Sequence, residues 1–293
     1  MSTTGPPHDP ESFAAHHARL RRRQTLRNVA IGAVALVVLW GAARVGEVDP
    51  AQFWAGFPRL GNYISDILPV IRLEHFGADV SEWMWGLDRW LALILDTLVI
   101  AVLGTALGGA LALSGSFFAA RNLAPYEWLG AIARRIHEIG RTVPEIVYAL
   151  IFVYAFGIGP FAGVLAIILH TWGALGKLTA EANENIDMRP VEAAYACGCN
   201  WATSMRLAAF PQIAPNFLSY ALFRLEINVR AASVLGIVGA GGIGQELYLA
   251  IRRFEYTDVS AILLLLIILV AIIDITSEHL RHMVIGRGAE VRA

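Results

Sequence analysis

The chain has 293 residues; 56% are apolar, 27 are glycine, only 16% are charged, and the formal net charge is −1. Ordinary soluble domains carry roughly 25% charged residues, so a soluble fold this poor in charge would struggle to cover its surface, and so small a net charge excludes a broad basic footprint for nucleic acid. Cys197 and Cys199 are the only cysteines, too few for a disulfide framework and without nearby histidines for a zinc site; neither a metal nor a cofactor is expected.

The first 28 residues are polar. They carry Pro6, Pro7 and Pro10, the histidines His8, His16 and His17, and then the run Arg19, Arg21, Arg22, Arg23 and Arg27, which reads as a disordered basic tail. No small-residue cleavage site follows the apolar stretch 29–45, so it is expected to stay as an anchor. A helix needs about 20 mainly apolar residues to cross the hydrocarbon core. Six stretches qualify: 29–45, 90–113, 143–157, 161–178, 213–238 and 259–275. The third is short and the fifth carries charges. Between the first two lies an outer segment, 46–89, rich in Trp, Phe and acids. It reads either as an amphipathic helix on the membrane surface anchored by Trp83, Trp85 and Trp90, or as a loop packed on the protein's outer face.

Loop charges give an independent test. With a cytoplasmic N-terminus, the inner segments 1–28, 114–142, 179–212 and 276–293 hold fourteen arginines, among them Arg121, Arg134, Arg135, Arg141, Arg189, Arg206, Arg281, Arg287 and Arg292. The outer segments hold five, Arg59, Arg72, Arg89, Arg252 and Arg253. Cytoplasmic loops carry such an excess. The expected fold is therefore all-α and polytopic, with six spans through a lipid bilayer and both termini cytoplasmic. Its parts are a basic tail (1–28), a first span with the external segment (29–89), a core (90–278) and a second cytoplasmic tail (279–293).

The inner segment between the fourth and fifth spans is the most informative. Asp187 or Asn185 can cap a helix that tolerates Pro190 in its first turn and favours Glu192 at its positive dipole end; Pro211 is expected to stop it. Ala194 and Gly198, four apart, share one face and leave it nearly flat. Such a face either receives another protein at close range or belongs to a connector that needs no partner.

The pattern Glu192-Ala193-Ala194, three residues, Gly198, and a proline thirteen positions on at Pro211 resembles the EAA loop of ABC importer permeases. Ala208-Ala209-Phe210 stands where that family usually has Ile-x-Leu before the proline. The resemblance implies a type I importer permease fold with a coupling helix at about 190–209, which docks on a cytoplasmic ATPase through Pro190, Glu192, Ala193, Ala194, Gly198 and Pro211. Three further stretches, opening at Arg141, His170 and Phe223 and running to Gly244, look like the phosphonate permease group, which includes phosphite-type members. Methionine- and sulfonate-type permeases share the loop. The implied protein is a non-catalytic membrane subunit in a bacterial plasma membrane, and no Walker A sequence occurs in it. Its implied partners are two ATPase subunits, an external substrate-binding protein and a second copy of itself. A secondary transporter or channel would show inverted repeats or a selectivity motif, and neither is visible.

The fifth span carries Arg224, Glu226 and Arg230, each costing about 2.5–3.5 kcal/mol at the centre of a membrane helix on insertion scales. At about 100° per residue, Ser219, Glu226, Arg230 and Ser233 fall within a stripe roughly 60° wide, with Asn216 beside it. Glu226 and Arg230 also stand in the favourable i,i+4 order. The stripe is expected either to wall a translocation path, with Arg230 offering fork-like donors to phosphonate oxygens, or to pack helices as an ion pair that never meets substrate. Arg224 lies off it. The run Gly239–Gly244 formally matches a dinucleotide fingerprint after a strand-like stretch, but an apolar span follows instead of the required βαβ unit, so a sharp turn with close helix packing is expected. Asp96 and His170 are isolated intramembrane groups, and the Cys197–Cys199 pair reads as small-residue packing.

Overall fold

The structure, a computed structural model, describes residues 10–290, with side-chain surroundings for 19–283. Pro6, Pro7, His8 and Arg292 lie outside the described residues, as do the side chains of His16, His17 and Arg287. The chain divides into two compact units, 1–64 and 65–293.

In the first unit, α1 (Pro10–Val45) carries the membrane-length stretch Arg19–Val45. The basic segment expected to be a disordered tail is instead helical from Pro10 onward, continuous with the span rather than a separate element. After α1, Glu47 turns left-handed with φ 51°, its N–H reaching Arg44 O at 3.3 Å while Val48 N–H reaches Ala43 O at 2.9 Å. These two bonds close the helix end in a Schellman motif. Asp49 then accepts from Ala51 N–H at 2.8 Å and opens α2 (Pro50–Ile67), which has no buried residue.

In the second unit, a short 3₁₀ turn (Leu73–His75) and α3 (Phe76–Trp83) lead into α4 (Leu87–Ala119). Then come α5 (Glu127–Thr142), α6 (Glu145–Phe156), α7 (Pro160–Asn183), α8 (Arg189–Ala196) and α9 (Trp201–Ser204). A π-turn (Met205–Ala209) joins α9 to α10 (Phe210–Leu235), followed by α11 (Ile243–Arg253) and α12 (Tyr256–Glu290). Among the described residues there is no strand. Four helical stretches among the described residues are long and apolar enough to cross a membrane, in α1, α4, α7 and α12. The count rises to six if α5 with α6, bent by 86°, and the α9–α10 rod with α11, bent by 47°, each form one broken span.

The third expected span is the bent one. With 12 residues, α6 is about 18 Å long at 1.5 Å per residue, short of the ~30 Å hydrocarbon core. The break has a local cause. Val143 precedes Pro144 and is extended (φ −76°, ψ 123°), the conformation that a following proline ring imposes.

The core is built on α4 against α7, with α10 packed on both. A Cβ on Gly104 would sit 2.4 Å from the Ile167 side chain, and one on Gly108 2.8 Å from Ile168 O. This Gly-xxx-Gly seam brings two helices together by van der Waals contact where lipid supplies no hydrophobic drive. Above the seam, Asn228 of α10 donates to Thr105 Oγ1 of α4 and Thr171 Oγ1 of α7, both at 2.8 Å. All three side chains are buried.

The tryptophans correct one expectation. Trp90 is buried in the core rather than anchored in lipid. Trp83 donates to Ser260 Oγ at 2.9 Å, and Trp85 to Asp258 at 3.0 Å, so both hold the start of α12. The Gly239–Gly244 run forms the expected sharp turn. Its tightest point is Gly244, where a Cβ would stand 1.7 Å from Ser233 O.

Gly244→Ala must open the α10–α11 junction, and overpacking of this kind costs about 3 kcal/mol. Asn228→Ala removes two interhelical hydrogen bonds and should cost about 1–3 kcal/mol. Thermal unfolding in detergent checks both, with Asn216→Ala on the exposed side of α10 expected to stay near wild type.

Candidate functional site

Midway along α10, Glu226 and Arg230 form the i,i+4 ion pair that the sequence spacing anticipates. It is part of a larger network, because Arg230 also approaches Asp274 of α12 at 3.7 Å and Arg281 approaches Glu226 at 3.9 Å. Two cations and two carboxylates thus balance across the α10–α12 seam. Glu226 is mostly covered while the Arg230 side chain is half exposed, so one guanidinium edge is held and the rest is uncovered.

That free edge faces a groove of about 430 Å³ lined by Pro144, Glu145, Ile146, Ile227, Arg230 and Val234. Of the five residues expected along the path, only Arg230 lines it. Glu226 stands behind Arg230 as its counter-ion. Asn216 is exposed, about 21 Å along the helix from Arg230 at 1.5 Å per residue. Ser219 is half-buried. Ser233 turns its hydroxyl back to Val229 O at 3.1 Å.

Across the groove, the N-terminus of α6 carries Glu145, whose carboxylate lies 3.4 Å from His170 Nε2. The other imidazole nitrogen faces Val143 O at 3.0 Å, the carbonyl exposed by the α5–α6 break. Arg224, on the far side of α10, lies within electrostatic reach of both Glu145 and His170. Its Nε is buried without a hydrogen-bond partner. Arg224 therefore stands apart from the Glu226–Arg230 network. Glu145, Asp274 and Arg281 are the functional candidates that sequence reasoning missed. Glu145 and Asp274 carried a usable signal, as acids inside or at the edge of apolar stretches.

The segment resembling a coupling helix is broken in two. Its first part, α8, ends at Ala196. Gly198 then takes φ +82° with open space around it, its N–H bonding Tyr195 O at 2.9 Å and Cys199 N–H bonding Ala194 O at 3.1 Å. This is again a Schellman cap. The glycine is needed for its backbone angle, and it does not share a flat helical face with Ala194. Ala194 instead packs inward with the buried Val191 against Ala120, Leu123, Met205 and Ala208. Pro190, Glu192, Ala193 and Tyr195 are left exposed.

Asn200 restarts the chain, accepting from Thr203 N–H at 2.9 Å, and the helix then runs unbroken through Pro211. Pro211 does not stop it. A proline ring clashes with the carbonyl four residues back, and the π-turn just before it widens the ladder, with Phe210 N–H reaching back to Met205 O. Gln212 ties both parts together. It accepts from Asp187 N–H at 3.0 Å and donates to Asp187 O at 3.1 Å and Ala208 O at 2.8 Å.

At the start of α8, Arg189 donates to Asp187 from its side chain and its backbone N–H, which holds that carboxyl below the ordinary aspartate value. The pairing is complete above that ordinary value and is lost only as pH falls through the lower folded one.

Residues 112–285, more than half of the chain, match the family described as binding-protein-dependent transport system inner membrane component. The chain belongs to this family. Its members are the permease subunits of ABC importers, and they work with ATPase subunits and substrate-binding proteins. The matched region holds α5 to α11 and most of α12, and with them the groove and α8. The phosphite transport system permease protein PtxC of Stutzerimonas stutzeri is 38% identical over 86% of this chain and 88% of its own length. The phosphate-import permease protein PhnE of Mycolicibacterium smegmatis is 36% identical over 66% of this chain and 36% of its own. Among solved structures, an inward-facing methionine ABC transporter matches with a TM-score of 0.58 at 23% identity, over 69% of this chain and 97% of its own. A bacterial alginate ABC transporter matches at 0.59 and 14% identity, over 84% and 98%. At those identities the likeness is one of fold.

Gly198→Ala forces an L residue into the left-handed region at about 1–2 kcal/mol, and Gly198→Asn should recover part of that. Amide hydrogen exchange over residues 189–199 is expected to quicken in the alanine variant and less so in the asparagine one.

Proposed function

We propose that this permease subunit carries a small oxyanion of the phosphite or phosphonate class from an external binding protein to the cytoplasm. The observation that carries the proposal is the half-exposed Arg230, pinned by Glu226 in a groove at the N-terminus of a broken helix. A guanidinium offers up to five N–H donors in a fixed fork, which suits a tetrahedral oxyanion. In broken membrane helices, half-helix N-termini serve anionic substrates in the same way. The flanking Glu226 and Asp274 keep the groove from becoming a trap, since an unopposed cation in low dielectric would hold an anion too firmly to release it. The relatives named for phosphite transport support the same substrate class.

The subunit itself is not catalytic in this proposal; ATP is hydrolysed by two separate ABC ATPase subunits. Each docks on an α8 from one copy of the chain, which calls for a homodimer. Pro190, Glu192 and Ala193 form the docking surface. Ala194 seats α8 on the bundle, Gly198 caps it, and Pro211 lies on the rod that carries movement into α10. Closure of the ATPases pushes α8, and the rod from α9 through α10 tips the groove between outward- and inward-open states. Both termini lie in the cytoplasm, on the arginine-rich side.

Arg230→Ala should abolish uptake into proteoliposomes while the ATPase complex still assembles; normal uptake by that variant would take Arg230 out of the path. Arg230→Lys should retain a fraction, because an ammonium gives charge without the fork. Co-purification with an ATPase subunit is expected for the wild type and should be lost on Glu192→Ala combined with Gly198→Ala. If no ATPase associates at all, the importer assignment of α8 fails. The mass of the purified complex reads the number of copies of this chain.

A further inference from the structure

The helix α2 has a two-sided surface that the groove and α8 do not use. At about 100° per residue, Phe53, Trp54, Phe57, Leu60 and Ile64 fall within an arc of roughly 120°, and Gln52, Arg59, Asn62 and Asp66 centre on the opposite side. All five apolar side chains are between 49% and 69% exposed. The three aromatic rings hold one another, with Phe53 edge-on to Trp54 and Phe57, and Trp54 stacked on Phe57 at 5.5 Å. This is a preformed apolar plate.

We infer that this face of α2 lies in the headgroup–acyl boundary of the leaflet at which α1 ends, making α2 an in-plane membrane helix. Continuity with the membrane argues for lipid as the occupant. The apolar stretch of α1 runs to Val45, and only four residues, 46–49, separate it from Pro50. Four residues span at most about 14 Å, so α2 begins close to the depth at which α1 leaves the hydrocarbon. The turn between them is fixed at both ends, by the left-handed Glu47 and by the Asp49 cap, which gives α2 a defined direction rather than a loose tether.

Composition agrees with that depth. Aromatic rings favour the membrane–water boundary, and a helix with one apolar face and a polar opposite face settles about 5–10 Å into it. Pro58 inside α2 cannot donate to the Trp54 carbonyl. Water and headgroups at the boundary can satisfy that carbonyl, whereas the hydrocarbon core cannot. The inference depends on neither the substrate nor the sidedness proposed above, because it concerns only the leaflet where α1 ends.

The experiment places a nitroxide at Phe57→Cys or Ile64→Cys and, on the other face, at Gln52→Cys or Arg59→Cys. The full chain, with Cys197 and Cys199 replaced by serine, is reconstituted in phosphatidylethanolamine–phosphatidylglycerol vesicles. Power saturation with oxygen and with a nickel chelate should find the first pair oxygen-rich and nickel-poor, and the second pair the reverse. Two apolar positions are used so that local damage at one does not decide the result. Equal accessibility of the two faces would overturn the inference. So would shielding of Phe57 and Ile64 from both reagents, which would mean that protein covers the plate.

Discussion

The second unit depends on one close approach, that of α4 to α7. Gly104 and Gly108 leave no room for a side chain where Ile167 and Ile168 cross them, and no hydrophobic drive exists between helices in lipid to hold a looser arrangement. Backbone proximity at this seam sets the distance at which Thr105 and Thr171 stand apart, and Asn228 bridges that gap with a single carboxamide. Since Asn228 lies two residues from Glu226 and two from Arg230, the seam also fixes the rotation of α10. A rotation of one residue, about 100°, would carry Arg230 out of the groove.

Charge along the fifth expected span is tolerated here because it is met by opposite charge. Arg230 and Arg281 oppose Glu226 and Asp274, while Arg224 lies only within electrostatic reach of Glu145 and His170. The paired charges have a mechanical consequence. They bridge α10 to α12, so α10 cannot move against α12 without trading ion-pair partners. An element held this way favours discrete positions over continuous drift, which is the property a transport cycle between two states requires. The break at Val143–Pro144 matters for the same reason. It places the N-terminus of the short helix α6, and with it Glu145, beside the groove.

Much of this was legible in the amino-acid order, for reasons that also mark where legibility ends. Hydropathy is read directly by lipid, so the all-helical polytopic fold follows from the apolar stretches, and the i,i+4 pair Glu226–Arg230 follows from spacing within one helix. The partners Asp274 and Arg281 do not, because they depend on how α12 is registered against α10. The sequence Gly198-Cys-Asn200 held the signal for a helix end and restart, a left-handed cap followed by a side-chain cap, yet the proline at 211 appeared the stronger stop. Its effect is cancelled by a π-turn that no local residue preference announces. Trp90 looked like a lipid anchor because tryptophan near a span end usually is one. Packing against the core overrode that tendency, and the plate of aromatics on α2 carries the amphipathic pattern instead.

The two Schellman caps show how far the local rule reaches. At Gly198 the left-handed residue is glycine, and the cap closes a helix that leaves most of its residues exposed. At Glu47 a carboxylate residue holds the same backbone shape at φ 51°, where an L residue carries a cost of about 1–2 kcal/mol. Isolated preference would place glycine there, and Gly46 stands one position earlier. The register is decided by Asp49, which must sit at the start of α2 to accept from Ala51, and by Val48, which must reach Ala43. Moving the turn back onto Gly46 would shorten α1 by one residue and rotate everything after it by about 100°. A strained residue at 47 therefore follows from the combined demands of a span that ends where the apolar run ends and a second helix that starts at its cap.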